Sequence, residues 1–277
     1  LTLATANFAG VVGKAITVDG ASKGNTVDTA ALSGSDRVTV VGGAGKDVFT
    51  GGAGNDVFKF SRADLAATDK VKGGAGSNEL LMTTAGRVAA GGISGVEIYK
   101  LANGGKNTLT LAAANFAGVV GKVITVDGGN KGNTISEQAV AAADRVVMKG
   151  GAGADTLIAG PNAVMTGGAG ADRFELTEKG TGKTPDTNTI ADFHHDTDKL
   201  ALSKAGFSLG SSPKRATLFT ANASGKFTTT AQRFAYDTGN GHLYYDAHGD
   251  AHGSSRQLIA TLAGHPTLTV GDITFAA

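Results

Sequence analysis

Five glycine-rich turns hold the residues whose types and spacing could do chemistry. Asp47 closes GGAGKD, Asp56 closes GGAGND, Asp155 and Asp172 each close GGAGAD, and Asn78 closes GGAGSN. The glycines permit positive φ and close backbone approach, which a Cβ would obstruct. A turn of this kind directs backbone carbonyls inward, and the acid adds a carboxylate. Oxygen donors alone suit a hard divalent cation, and calcium takes six to eight of them. The ligand set read from the turns is Gly43, Gly45 and Asp47, then Gly52, Gly54 and Asp56, then Gly151, Gly153 and Asp155, then Gly168, Gly170 and Asp172. Each turn runs into three strand-forming residues with an apolar centre: Phe49, Phe58, Leu80, Leu157 and Phe174. One buried Phe or Leu returns less than the ordering of nine backbones costs. Facing carboxylates add repulsion. A bound cation removes that repulsion and makes its binding free energy part of folding. A glycine-rich loop with incidental aspartates would account for one such nonamer. It does not account for five, two of them in tandem at 42–50 and 51–59.

The nonamers fit G-G-x-G-x-D-x-U-x with U apolar, except at Asn78. They resemble the calcium-binding repeat of RTX (repeats-in-toxin) proteins. The resemblance implies Ca2+ as the bound ion, export from a bacterial cell and folding outside it. Residues 188–203, with Asp192-Phe193 and DTDKLALS, resemble the segment D-F-x-x-G-x-D-K-I-D-L-S that closes RTX rolls. Asp192 and Asp198 stand at its acidic positions, which implies a terminal calcium site; a plain capping turn is the alternative. Asp196 stands near the usual glycine, and Ala201 replaces an acid. Residues 232–275 resemble the end of type I-secreted proteins, where the family carries an uncleaved secretion signal. A hairpin is expected there, Phe234–Asp237 and 242–246 around Thr-Gly-Asn-Gly, whose residues tolerate the positive φ of tight hairpins. RTX proteins are commonly acidic. The net charge of +1 here departs from that and implies few calcium sites.

The elements that must position these turns follow from a larger repeat. LTLATANFAGVVGKAITVDG (1–20) returns as LTLAAANFAGVVGKVITVDG (109–128), KGNT (23–26) returns at 131–134, and SDRVTVVGGAGKD (35–47) returns as ADRVVMKGGAGAD (143–155). Two copies of one unit expose faces that stack. Short β-rich runs between Gly, Asp and Asn turns predict an all-β fold, a parallel β-roll or β-helix in two duplicated modules with a β-rich cap. The divisions are 1–108, 109–187 and 188–277. Thr2–Val12 and Thr110–Val120 can each hold a helical turn. With two strands per coil, turns two nonamers apart stack, so a step near two nonamers is expected. That places Asp155 over Asp172, Asp56 between Asp36 and Asn78, and Asp47 against the loop with Asp64 and Asp69. Asp36, Asp69 and Asn78 therefore join the candidate ligands, with Asn78 the weaker for lacking a carboxylate.

Composition narrows the function. Gly is 43 of 277 residues, Trp and Cys are absent and aromatics are 6%, which suits a thin stacked core without disulfides. No apolar run is long enough for a membrane span, and no basic patch argues for nucleic acid. No signal peptide opens the chain, and its Leu-Thr-Leu start reads as a fragment or processed product. Neither H-E-x-x-H nor G-x-S-x-G occurs, so the chain reads as non-catalytic. His242, His248 and His252 offer a zinc reading, but no helix signal surrounds them and a solvated loop reads better; His194-His195 reads as a surface pair. The leading expectation is an extracellular calcium-binding structural or adhesin-type protein that self-associates into a layer or filament. The alternative is the calcium-binding tail of a secreted hydrolase. Tyr236, Tyr244 and Tyr245 offer a platform for cell-surface glycans, although core or hairpin pairing suits them better.

Overall fold

The computed structural model describes residues 1–138, 140–177, 188–249 and 256–277. The chain forms two compact units, 1–147 and 148–277. Both are built from short parallel strands, as the β-roll expectation requires.

In the first unit, strands alternate between facing sheets. Thr26–Ala31, Val48–Thr50, Lys70–Lys72 and Ile93–Ser94 stack in one. Ala15–Asp19, Arg37–Val41, Val57–Phe60, Glu79–Met82, Ile98–Lys100 and Val123–Asp127 stack in the other. Because side chains alternate across a strand, in-register stacking makes columns of buried apolar and aromatic residues. Val27, Phe49, Val71 and Ile93 form one buried column, and Val40, Phe58, Leu80, Tyr99 and Val126 form the facing one. The Phe49 and Phe60 rings stack at 5.6 Å between them. Each fully buried Phe or Leu contributes about 1.5–3 kcal/mol, so the core is thin but continuous.

The coil step differs from the two-nonamer expectation. It is 18 residues from Val38 to Asp56 but 22 from Asp47 to Asp69 and from Asp56 to Asn78. The cause lies in the connections: the loop 61–69 is longer than a six-residue glycine turn and uses Ser61 and Asp69 side chains to hold its shape. The expected helical turns are present as 3-10 turns at Thr5–Phe8 and Ala113–Phe116.

In the second unit, Thr156–Ala159, Arg173–Leu176, Lys199–Ser203 and Ile273–Ala276 stack in parallel, with Leu157, Phe174, Leu200 and Ile273 as the buried column. The chain leaves this stack after Ser203 and returns at Ile273. The excursion carries the hairpin Phe234–Asp237 and His242–Tyr245, antiparallel as expected, with Gln257–Leu262 added antiparallel to it. Phe207, Phe234 and Tyr245 pack around one another at 5.1–5.4 Å between ring centroids.

Candidate calcium-binding turns

The glycine turns sit where successive coils meet most closely. A Cβ on Gly54 would lie 1.9 Å from the Asp36 carbonyl oxygen, and one on Gly168 (φ +94°) would lie 2.0 Å from that of Gly151. Only glycine fits such contacts. Gly43, Gly45, Gly52 and Gly170 likewise face backbone of the preceding coil, while Gly151 and Gly153 hold positive φ at the turn that leads to Asp155.

The acids at the turn ends form ladders from coil to coil. The Asn25 N–H donates to Asp47 Oδ1 at 2.7 Å, and the Asp47 N–H donates to Asp69 Oδ1 at 2.8 Å. On the other edge the Val38 N–H donates to Asp56 Oδ1 at 2.9 Å, the Asp56 N–H to Asn78 Oδ1 at 3.0 Å, and the Asn78 N–H to Glu97 Oε2 at 2.7 Å. In the second unit the Asp155 N–H donates to Asp172 Oδ1 and the Asp172 N–H to Asp198 Oδ1, both at 2.9 Å. Asp155 thus meets Asp172, Asp56 meets Asn78 and Asp47 meets Asp69, as expected, but Asp36 does not stack on Asp56: the Asp56 carboxylate meets the Val38 N–H, and the Asp36 carbonyl faces Gly54 because the coils are offset by two residues there.

The candidate carboxylates differ in what their second oxygen does. Asp56 Oδ2 accepts the Gly52 N–H, Asp69 Oδ2 that of Ala66 and Asp198 Oδ2 that of His194. Asp192 spreads both oxygens over the Gly167 and Gly168 N–H groups, and Asp36 is held by Ser33. Asp47 Oδ2, by contrast, is buried with no hydrogen-bond partner. Asp172 Oδ2 lies against the open side of Gly167, 2.3 Å from where a Cβ would stand. Burial pushes the Asp47 carboxyl pKa up, and the charges of Asp69 and Asp64 add to it against the bonds from Asn25. Burial raises Asp172 too, reinforced by Asp198 and Asp192. A buried, partnerless oxygen among further acids fits a cation, since an uncompensated buried charge is costly.

Residues 99–274 match the family model described as Peptidase M10 serralysin C terminal. The chain belongs to the serralysin C-terminal family. Residues 32–59 also match the RTX calcium-binding nonapeptide repeat (4 copies), which includes the tandem Asp47 and Asp56 turns. No curated protein matches the chain. This serralysin C-terminal chain is therefore a calcium-binding RTX protein of the secreted class, and neither match describes a catalytic domain. No helix among the described residues is long and apolar enough to cross a membrane.

Other sequence readings fare differently. Tyr236 and Tyr245 are buried, with their hydroxyls donating to the Pro266 and Phe207 carbonyls, so they belong to the core. Tyr244 instead lies under the Arg256 guanidinium, 4.2 Å from its ring centre. His242 Nδ1 sits 3.1 Å from the Tyr244 hydroxyl, and His252 lies outside the described residues. His194 is exposed, but His195 is not a plain surface residue: its Nδ1 is 2.8 Å from buried Asp272 Oδ2. Sequence reasoning missed Asp272, which also accepts N–H bonds from Thr269 and Asp196. Burial works to raise its pKa, but these donors and His195 outweigh it and lower it. The signal was available, because Asp272-Ile273-Thr274-Phe275 repeats the pattern of an acid before a short strand. Glu97 was missed as well; it closes GGISGVE (91–97), a glycine turn one residue longer than the six-residue turns, with an acid at its end.

Proposed function

We propose that this chain is a non-catalytic, extracellular structural or adhesin-type segment that folds on calcium and self-associates through its coil edges. The observation that carries the calcium half is the buried, partnerless Asp47 Oδ2 beside Asp69 and Asp64. Asp47 in the first unit, and Asp155 and Asp172 in the second, would hold calcium together with turn carbonyls. The ion supplies charge neutralisation and folding free energy. Extracellular modules bind calcium at about 10⁻⁴–10⁻³ M, so the chain stays loose inside the cell and closes outside. Circular dichroism in chelator and in millimolar calcium tests this; equal β content in both would reject it.

Self-association draws support from the first unit's edge. Among the described residues, Thr2–Ala4 and Ala15–Asp19 each have a strand partner on one side, Thr26–Ala31 and Arg37–Val41. Unpaired edges template further pairing. Val12 and Val120 stand 96% and 73% exposed, and the net charge of +1 offers little repulsion. Light scattering across a calcium titration should show ordered oligomers; a monomer mass throughout would reject assembly. The second reading, the tail of a secreted hydrolase, is favoured by the serralysin description of the matched family. A catalytic domain encoded in the same reading frame would decide for it.

A further inference from the structure

The asparagine turns and the aspartate turns share one frame and differ at one atom. Beside Gly51, the place a Cβ would take lies 1.9 Å from the Gly73 carbonyl oxygen and 2.7 Å from Asp56 Oδ2. Beside Gly150 the corresponding place lies 2.5 Å from both the Gly167 carbonyl oxygen and Asp155 Oδ2. In these turns an oxygen of the acid and a carbonyl oxygen of the next coil crowd the same small space. Beside Gly73 the geometry repeats, with the Gly95 carbonyl oxygen at 1.7 Å, but the second atom is Asn78 Nδ2 at 2.8 Å. That nitrogen donates to the Gly95 oxygen at 3.0 Å and to the Ala75 oxygen at 3.2 Å. A donor stands where the aspartate turns bring oxygen against oxygen.

The same closure recurs. Asn25 Nδ2 donates to the Lys23 and Ala21 carbonyls, at 2.6 and 3.2 Å, and to Asp47 Oδ1. Asn107 Nδ2 donates to the Ala102 carbonyl at 2.9 Å and to Asn133 Oδ1 at 2.7 Å, and Asn133 Nδ2 donates to the Gly129 carbonyl at 3.2 Å. Three of the four open the same sequence, Asn-Thr-aliphatic, at 25–27, 107–109 and 133–135. An amide satisfies inward carbonyls by hydrogen bonds and carries no charge to neutralise. A carboxylate has no proton to donate at neutral pH, so the same carbonyls are left to a cation.

We propose that the side-chain amides of Asn25, Asn78, Asn107 and Asn133 stand in for calcium, so that their turns close without metal and hold a metal-independent framework in the first unit. The proposal rests on the reading that the aspartate turns bind calcium. It restricts that reading, because Asn78 then leaves the set of candidate ligands and becomes the group that makes a ligand unnecessary. Calcium would act on the first unit at the aspartate turns of Asp47 and Asp56 and leave the asparagine-closed coils standing when it is withdrawn.

Calcium alone is the probe. In wild-type protein, hydrogen exchange in chelator should leave protected the Asp56 and Gly86 amides, which bond to Asn78 Oδ1 and Asn107 Oδ1. The Asp155 amide should lose its protection. Loss at all three sites would overturn the proposal. Asn78→Asp should bind one further equivalent of calcium by titration calorimetry and melt lower than wild type in chelator, with recovery in millimolar calcium. Unchanged stoichiometry and unchanged melting in chelator would overturn it. Asp47→Asn distinguishes the two readings. It should lose one equivalent, and if it loses none, the calcium reading of Asp47 fails whatever Asn78 does.

Discussion

Residues 1–20 and 109–128 differ at two positions, Thr5 against Ala113 and Ala15 against Val123, yet they live in different surroundings. Their backbones agree. Gly10 and Gly118 have φ of +77° and +84°, Gly13 and Gly121 +73° and +72°, and Lys14 and Lys122 +50° and +56°. Their burial does not. Leu1 is 63% exposed, whereas Leu109 is fully buried; Ile16 is half-buried, whereas Ile124 is fully buried. The difference is the coil 87–100. Arg87–Val88 pairs with Thr108–Leu109, Ile98–Lys100 pairs with Val123–Asp127, and Asn115 Nδ2 donates to the Ala90 and Ile93 carbonyls. Local sequence sets the conformation of both copies, and the neighbouring coil sets the stability of the second.

The largest test of that contrast is Ile124→Ala against Ile16→Ala. A fully buried Ile→Ala costs about 2–5 kcal/mol. Ile16 buries less surface and should cost less than half as much. Urea unfolding in saturating calcium measures both, and equal losses would break the comparison. Asn115→Ala comes next. It strips donors from two carbonyls in a buried site, at about 1–3 kcal/mol. Asn7→Ala removes one exposed bond, from the Ala4 N–H to Asn7 Oδ1, and should cost less. Equal effects would mean that the bonds to coil 87–100 add nothing.

What was legible in the sequence was whatever repeats locally. Glycine and acid spacing gave the parallel coils, the buried columns at Phe49, Phe58, Leu157 and Phe174, and the stacking of Asp155 on Asp172. Coil length was not legible between the repeats, because the loop 61–69 carries no glycine frame and its span depends on side-chain bonds such as Ser61 to Asp64. The division of labour among the acids was hidden for a similar reason. Asp47 and Asp56 close near-identical motifs, but Gly52 donates to the second oxygen of Asp56, while that of Asp47 is left buried without a partner. The deciding bond lies within one turn, between residues four apart, and the shared motif does not spell it out.

The glycines sharpen the local half of the comparison. Gly13 and Gly121 have open space where a Cβ would stand. Gly13→Ala and Gly121→Ala should therefore each cost only the left-handed backbone penalty, about 1–2 kcal/mol. Calorimetric melting should show the two variants shifted by equal amounts. A larger loss at one would show that surroundings reach the loop conformation after all.

The smallest effect concerns Glu97, which belongs to the covering coil and so bears on the second copy. Its Oε2 accepts the Asn78 N–H, while its Oε1 is buried without a partner. Burial raises its carboxyl pKa against the bond from Asn78. The folded chain therefore holds this proton more tightly than the unfolded chain does. The resulting stability is fully present below the ordinary value of 4.5 and is lost as pH rises through the folded value. Glu97→Gln keeps an acceptor for the Asn78 N–H and removes the charge, so the variant should melt slightly higher than wild type at neutral pH, with the gap closing on acidification toward that ordinary value. A gap that widened on acidification would reverse the sign and reject the account. Made in an Ile124→Ala background the gain should change, because Ile98–Lys100 and Val123–Asp127 share one ladder; in an Ile16→Ala background it should add independently.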